Sequence, residues 1–359
     1  MTSRIFPVGL RCRAIRRVVI CVYVAAVAAI TGCERTSPAP RGNLPSEGDV
    51  IVLIGPARPS PQWLGVTGGA RRIMDRYPGV VLKCTAPSDK SVEALTKVVS
   101  GALTDRPRAI CVYVTDPIVA RPAIEMIRAA ATILVTMGVD PAARGVFGHV
   151  LVDTVGAAET LGMNLAAVAC GKHSYLLLHE NDVTAAGTRC YERFMQKARL
   201  QPGMSLLWEQ STSQTEQSSA DLVRAMFHRF PHAGLVVTLN ASPWLSTAPA
   251  DLLGSEARFA TLDTVPALWP YLLNDQAAAL AGPLHGEIGS LAVELAMMGI
   301  TESERPGTVR VVNSELVTAE TVYDFAARYA EAAGFELGAL LPGAGASQPV
   351  AASRPAGEP

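Results

Sequence analysis

The sequence predicts an α/β protein made of two Rossmann-like lobes with parallel sheets, joined by a three-strand hinge. Short runs rich in β-branched residues alternate with helical stretches, and this alternation favours parallel strands with helices on both faces. The strands predicted for the first block lie at 50–54, 80–84, 109–114 and 133–137. The pattern resumes after Phe147, and the chain is longer than one hydrophobic core usually organises. Two similar lobes in series are therefore expected.

The second block predicts four further strands and the helices between them. The strands are expected at 174–178, 205–207, 235–239 and 259–262, and the helices near 155–170, 187–200 and 218–230. An apolar segment (277–281), a helix (288–298), a strand (309–312) and a last helix (319–333) follow. These late elements indicate that the chain crosses back between the lobes. We therefore predict an N-terminal lobe of residues 50–152 and 288–314, and a C-terminal lobe of residues 153–287 and 315–336.

Residues 1–32 have the three parts of a secretory leader. A cationic stretch that includes Arg16 and Arg17 precedes the apolar run 18–30, and small residues close the segment. The run is shorter than the ~20 apolar residues that cross a bilayer, although a single uncleaved membrane anchor remains the alternative. Ile30-Thr31-Gly32-Cys33 resembles the bacterial lipobox, and this resemblance implies a lipoprotein signal peptide with lipid on Cys33.

The segments that flank the predicted body have little to bury. Residues 33–49 are rich in Pro, Ser, Arg and Gly, so we expect a flexible spacer. Residues 337–359 have a similar composition and are expected to form a disordered tail. These two segments would leave the body tethered at its first residue by the lipid.

Net charge and cysteine usage exclude several classes of function. The net charge is −1 with both signs interspersed, which gives no electrostatic footprint for nucleic acid. Beyond Cys33, the cysteines are Cys84, Cys111, Cys170 and Cys190, and none has metal-type spacing. Two possibilities stay open for them: a Cys170–Cys190 disulfide, or four buried small hydrophobic side chains. No metal or other cofactor is expected.

Polar residues collect at the predicted carboxyl ends of the strands, where open parallel sheets bind ligands. The candidate ligand-binding residues are Ser60, Gln62, Trp63, Asp153, Arg189, Asn240, Asp263 and Glu287. Carboxylates and amides suit a ligand with hydroxyl groups, and an indole suits the face of its ring. Four of them have a structural alternative: Asp153 and Asp263 are placed to cap helices, Trp63 to pack in a core, and Arg189 to form a surface ion pair with Glu192.

The order of these residues resembles the type I periplasmic binding proteins, especially the sugar-binding branch with ribose-binding protein and the effector domain of lac-type repressors. The similar segments begin at Ser60-Pro61-Gln62-Trp63, Val152-Asp153-Thr154, Asn240, Leu262-Asp263-Thr264-Val265-Pro266, Pro283 and Ser314. The resemblance covers about residues 50–335 and implies that Trp63 stacks on a sugar, that Asp153, Asn240 and Asp263 bind it, and that Glu287 replaces a hinge glutamine.

The sequence departs from that family at positions that grip the sugar. The Asp-Arg pair after the fourth strand falls on Gly138-Val139, and one aromatic residue is replaced by Gln62. The arginine of the second lobe aligns with Cys190, one position after Arg189. The resemblance therefore predicts the fold and the binding architecture, but it does not predict which sugar is bound.

The expected function is that of a lipid-anchored, extracytoplasmic solute-binding protein. It would close its two lobes on a small polar ligand, a sugar or related polyol, and deliver it to an ABC importer. The alternative is a receptor that presents its closed form to a membrane signalling protein. The sequence has no nucleophile elbow, zinc-protease helix, Walker loop or dinucleotide-binding turn, so we expect no catalysis. A monomer attached to the membrane only through its lipid is expected.

Overall fold

The computed structural model describes residues 46–57, 60–180, 185–212 and 217–341. The strands are β1 Val50–Ile54, β2 Val81–Thr85, β3 Ala109–Val114, β4 Ile133–Gly138, β5 Gly148–Val152, β6 Ser174–His179, β7 Ser205–Ser211, β8 Leu235–Thr238, β9 Arg258–Leu262, β10 Ala277–Pro283, β11 Thr308–Val312 and β12 Ser314–Val317. The helices are α1 Gln62–Met74, α2 Val92–Thr104, α3 Pro117–Ala129, α4 Thr154–Met163, α5 Leu165–Val168, α6 Ala185–Ala198, α7 Ser219–Arg229, α8 Ser242–Ser246, α9 Trp269–Leu273, α10 His285–Ile300, α11 Val322–Ala333 and α12 Leu337–Leu340.

The strands form two six-stranded sheets. The first has the order β11-β5-β4-β3-β1-β2, and all its neighbouring strands are parallel. The second has the order β12-β10-β9-β8-β6-β7, in which β12 alone is antiparallel to its neighbour. Buried apolar side chains lie on both faces of each sheet, as continuous apolar strands require. The prediction of two α/β lobes is confirmed.

Helix α2 illustrates how the local sequence forms the layers. Its first turn is capped by Ser91, whose Oγ accepts a hydrogen bond from the Ala94 amide at 3.1 Å. Leu95, Val99 and Ala102 follow at the three- and four-residue spacing of one helix face, and all three are buried against the first sheet. The alternation of period two in strands and period 3.6 in helices therefore yields a layered lobe.

The chain passes between the sheets at three points: after β5, after β10 and between β11 and β12. After the first, α4 packs on β10 and β12 of the second sheet; after the second, α10 packs on β3, β4 and β5 of the first. The crossings are bonded to one another, because the Asp153 amide donates to the Val312 carbonyl at 3.1 Å and Ser314 Oγ donates to the Asp153 carbonyl at 2.9 Å. The exact lobe boundaries stay predictions.

The ordered body reaches further at both ends than the sequence predicts. Gly48 lies in the predicted spacer, but its amide donates to the Gly79 carbonyl at 2.8 Å. At the other end, 337–340 is helical and Leu341 is buried in the core of the second lobe, so a disordered tail that begins at 337 is wrong for residues 337–341. Apolar burial of Leu341 explains the difference. Residues 1–45, which include the signal peptide and Cys33, and residues 342–359 lie outside the described residues.

Helix α1 also packs against the second lobe. A Cβ atom added to Gly68 would lie 2.2 Å from the Ala333 carbonyl oxygen at the end of α11, and one added to Gly65 would lie 2.3 Å from the Tyr329 hydroxyl. Only glycine permits so close an approach between the two helices. Helix α1 belongs to the first lobe and α11 follows β12 of the second, so this contact joins the lobes.

Candidate ligand-binding site

Two of the predicted site residues, Gln62 and Asp263, meet between the lobes. Gln62 is the first residue of α1, which follows β1, and Asp263 directly follows β9. Gln62 Nε2 donates a hydrogen bond to Asp263 Oδ2. Ser60 Oγ donates to Gln62 Oε1 at 2.9 Å, which orients the amide toward the second lobe. Carboxyl ends of strands from both sheets therefore meet at one place, where a ligand would contact both lobes.

The Asp263 carboxylate is held from several sides. Oδ1 accepts a hydrogen bond from the Thr264 amide at 2.7 Å and lies 3.3 Å from His285 Nε2. Burial by itself raises the pKa of Asp263, but the charge of His285 and the hydrogen bonds from His285, Gln62 and Thr264 outweigh it and hold the pKa below its usual value. This carboxylate is therefore ionised at neutral pH, and both its oxygens are hydrogen-bond acceptors.

Three further residues surround Asp263 and were not among the predicted site residues. His285 and Tyr329 are buried, and neither His285 Nδ1 nor the Tyr329 hydroxyl has a hydrogen-bond partner among the described residues. Tyr113, near the end of β3, has a pKa raised by burial and by the Asp263 charge. The sequence places Tyr113 near the end of a predicted strand, but it does not show that Tyr113 lies near Asp263. Nothing in the sequence pairs His285 with Asp263.

Asp153 and Asn240 make the local bonds that their positions favour. Asp153 Oδ1 accepts from the Gly156 amide at 2.8 Å and so caps α4, in line with the structural alternative. Asn240 Oδ1 accepts from the Ser242 amide at 3.0 Å. Its Nδ2 is buried and has no partner within the described part of the chain. An unpaired buried donor of this kind fits a ligand oxygen, because burial without a hydrogen bond is costly.

The indole of Trp63 packs within the first lobe. A Cβ atom added to Gly55 would lie 2.6 Å from Trp63 Cδ2, and the partly buried side chain contacts the first-lobe core. Core packing therefore accounts for at least part of its surface. Stacking of the remaining surface on a ligand stays a prediction.

Arg189 and Glu287 lie apart from the contacts of Gln62 and Asp263. Arg189 is exposed on α6. Glu287 is exposed at the start of α10, in a groove of about 350 Å³ with Arg72 and Arg328 among its lining residues. Partial burial of its carboxyl group and the nearby Glu315 raise the pKa of Glu287, and Arg328 opposes them. A role for either residue in ligand binding stays a prediction.

The structure explains the family departure at Gly138. Gly138 has φ +87°, and a Cβ atom there would lie 2.7 Å from the Val114 carbonyl oxygen and 3.1 Å from the Tyr113 ring. A side chain at this position would strain the backbone and displace its neighbours. The acid of the family therefore has no room here.

The cysteines do not form the disulfide that the sequence left open. Cys84, Cys111, Cys170 and Cys190 are all free thiols. Cys190 is buried in a second-lobe core with Phe194, but Cys170 is exposed and Cys84 is only partly buried. The alternative prediction, that all four cysteines are buried small hydrophobic side chains, is therefore also wrong. Packing of α6 fixes the side-chain orientation of Cys190, which sequence spacing does not reveal. No cluster of three possible metal ligands occurs in the described ranges.

Two lobes with facing polar strand ends define the class of two-lobed α/β binding proteins. Residues 51–302, more than half of the chain, match the family described as periplasmic binding protein domain. The chain belongs to this family, and its fold is that of the type I periplasmic binding proteins. No curated protein matches the sequence significantly. Among the described helices, none combines the length and apolar character that a membrane span requires.

Several solved structures share the fold at low sequence identity. The arabinose-binding protein AraP of Geobacillus stearothermophilus has a TM-score of 0.67 and 12% identity, over 77% of this chain and 99% of that one. A periplasmic solute-binding protein of Actinobacillus succinogenes with bound D-allose has a TM-score of 0.66 and 18% identity, with the same coverage. One of Bacillus halodurans with bound myo-inositol has a TM-score of 0.65 and 13% identity, over 79% and 99%.

Proposed function

We propose that this chain is a lipid-anchored, extracytoplasmic solute-binding protein that captures a sugar or related polyol between its lobes and delivers it to an ABC importer. The observation that carries the proposal is the meeting of Gln62 and Asp263 at strand ends of different lobes. A ligand that contacts both residues favours the closed arrangement, because only there do both lobes touch it. Binding, with no bond broken, is the proposed activity.

The chemistry of the contacts supports a neutral, hydroxyl-rich ligand. Asp263 supplies acceptor oxygens, and the buried Asn240 Nδ2 supplies a donor. Hydroxyl groups are both donors and acceptors and satisfy such a mixed set. The bound D-allose and myo-inositol of the similar structures have this character and support the proposal.

A thermal-shift screen with pentoses, hexoses, polyols and nucleosides tests the proposal. A ligand at 100 times its Kd stabilises the folded protein by about 2.7 kcal/mol, which raises Tm by a few degrees. Asp263→Asn should weaken binding of the ligand so found. Asp275→Asn is the matched control, because the Asp275 side chain is 73% exposed and pairs with Arg258. A screen that shifts nothing contradicts the sugar proposal.

Lipid attachment and delivery need separate experiments. Metabolic labelling with a radioactive fatty acid should mark the wild-type chain, and Cys33→Ser should abolish the label. Uptake of the identified ligand by cells should fall when the gene is deleted and return with the wild-type gene. Normal uptake after deletion would contradict the role in import and leave ligand binding untouched.

A further inference from the structure

Residues of α1 make contacts that cross between the lobes, beside the packing of α10 on α11. Gln62 Nε2 donates to Asp263, and Arg72 forms an ion pair with Glu331 at 3.3 Å. Gly68 lies against the Ala333 carbonyl, and Gly65 lies against the Tyr329 hydroxyl. The first contact is a hydrogen bond to a carboxylate, the second an exposed ion pair, and the last two are close packing. They hold one side of the interlobe junction together without any other molecule.

The Gln62–Asp263 bond occupies groups that a ligand needs. Both residues are candidate ligand contacts, so a ligand hydroxyl that binds Asp263 Oδ2 competes with Gln62 Nε2 for it. Both partners are oriented in advance. Ser60 holds the Gln62 oxygen, and the Thr264 amide and His285 hold the other oxygen of Asp263. Orientation of this kind lowers the entropic cost of forming the bond.

We propose that the Gln62–Asp263 bond is a latch that, together with the glycine contact of α1 and α11, keeps the lobes closed before ligand binds. The proposal rests on the proposed function only in treating Asp263 as a ligand contact. A ligand then replaces the Gln62 amide at Asp263 rather than closing an open clamp. The ligand has to displace the latch. The free energy of binding is therefore less favourable by the free energy of the latch, and the apparent affinity is lower.

Two variants test the latch independently, one at the Gln62–Asp263 bond and one at the contact of α1 with α11. Gln62→Glu places a second carboxylate beside Asp263, and the like charges repel. Gly68→Leu introduces a side chain at the point where the other lobe lies 2.2 Å from a Cβ position, and should wedge the lobes apart. The matched controls are Gln201→Glu, since the Gln201 side chain bonds to Lys197 of its own lobe, and Gly101→Leu, since Gly101 faces open space.

Small-angle X-ray scattering of the full chain, refolded from denaturant to remove bound solute, measures the separation of the lobes. The wild type and both controls should share one radius of gyration, and Gln62→Glu and Gly68→Leu should shift it to larger values. The terminal segments are the same in all five proteins, so the shift reports the lobes. Circular dichroism verifies that each variant is folded, and Gln62→Ala replaces Gln62→Glu if that variant is not.

Unchanged dimensions in folded variants at both Gln62 and Gly68 would overturn the latch. So would a wild type whose radius of gyration falls when a ligand from the screen is added, because that protein was open beforehand. Failure of the sugar screen is a separate result, since the scattering experiment uses no ligand. A wild type that binds a sugar and closes on it would remove the latch and keep the proposed function.

Discussion

Two strand ends, one in each lobe, adopt a backbone conformation that favours glycine, and they use it differently. At the end of β4 in the first lobe, Gly138 has φ +87° and no side chain. After β9 in the second lobe, Asp263 has φ +139° and carries a carboxylate that is bonded on both oxygens. The first position leaves room for its neighbours, while the second fixes a charged group in place.

The difference shows how the polar groups of the proposed site are divided between the lobes. A non-glycine residue in a sparsely populated backbone region costs about 1–3 kcal/mol and persists only when its surroundings hold it. Thr264 and His285 provide that support for Asp263. At Gly138 the Val114 carbonyl and the Tyr113 ring fill the space instead. The second lobe therefore holds the fixed anion, and the first lobe approaches it through Gln62.

The largest effect is expected at Gly138. Gly138→Ala should lower the free energy of unfolding by about 3 kcal/mol, because it adds backbone strain and a clash with the Val114 carbonyl. Urea denaturation followed by circular dichroism measures this loss. Gly101→Ala is the control. Gly101 lies near the C-terminal end of α2 with open space around it, so this substitution should raise the free energy of unfolding by about 0.5–1 kcal/mol. Equal changes in the free energy of unfolding for the two variants would contradict a special backbone requirement at Gly138.

A smaller effect is expected when Asp263 becomes glycine. Asp263→Gly relieves the backbone strain but leaves His285 and Gln62 without their partner, so we expect a net loss of about 2 kcal/mol. Asp275 also has a positive φ, of 59°, and its side chain is 73% exposed. Asp275→Gly should change stability by less than about 0.5 kcal/mol. A neutral Asp263→Gly, measured by the same denaturation, would show that its surroundings do not hold the carboxylate.

The smallest effect is a difference in pH dependence. The folded pKa of Asp263 is lowered, so the unfolded state binds its proton first as the pH falls. Its contribution to stability is therefore complete above the ordinary aspartate pKa of about 3.9 and is lost as the pH falls through the folded pKa. Asp263→Asn should flatten the stability curve below about pH 4 relative to wild type. Parallel curves, measured by Tm against pH, would contradict an ionised, supported carboxylate.

The sequence predicted most of the layered fold and a three-strand hinge, but it did not place two of the strands at the crossings. The early strands and the helix near 218–230 followed from periodicity, and the structure has them. β5 and β12 were not predicted as strands. Ser314–Val317 is short and half polar, and it is a strand because Gly282 and Glu315 pair across β10 and β12. The predicted helix near 155–170 is divided into α4 and α5 at Asn164. Partners distant in sequence decide such elements.

The candidate site was predicted in part. Gln62 and Asp263 were both named from their positions after strands, and the structure brings them into contact. The capping alternative for Asp153 agrees with its bond to Gly156. Glu287 was named by resemblance, but its electrostatic neighbours are Glu315 and Arg328. The turn of α10 decides which of its first residues faces Asp263, and His285 is the one that does.

The sequence by itself determined the class of fold, because hydrophobic periodicity depends only on residue order. It also determined that polar groups follow the strands. The tertiary structure decided which of those groups meet. Gln62 and Asp263 are 201 residues apart, and they bond because two sheets and three crossings bring their loops together. Contacts between lobes depend on the packing of α1 against α11, in which the absence of a side chain at Gly68 matters as much as any side chain present.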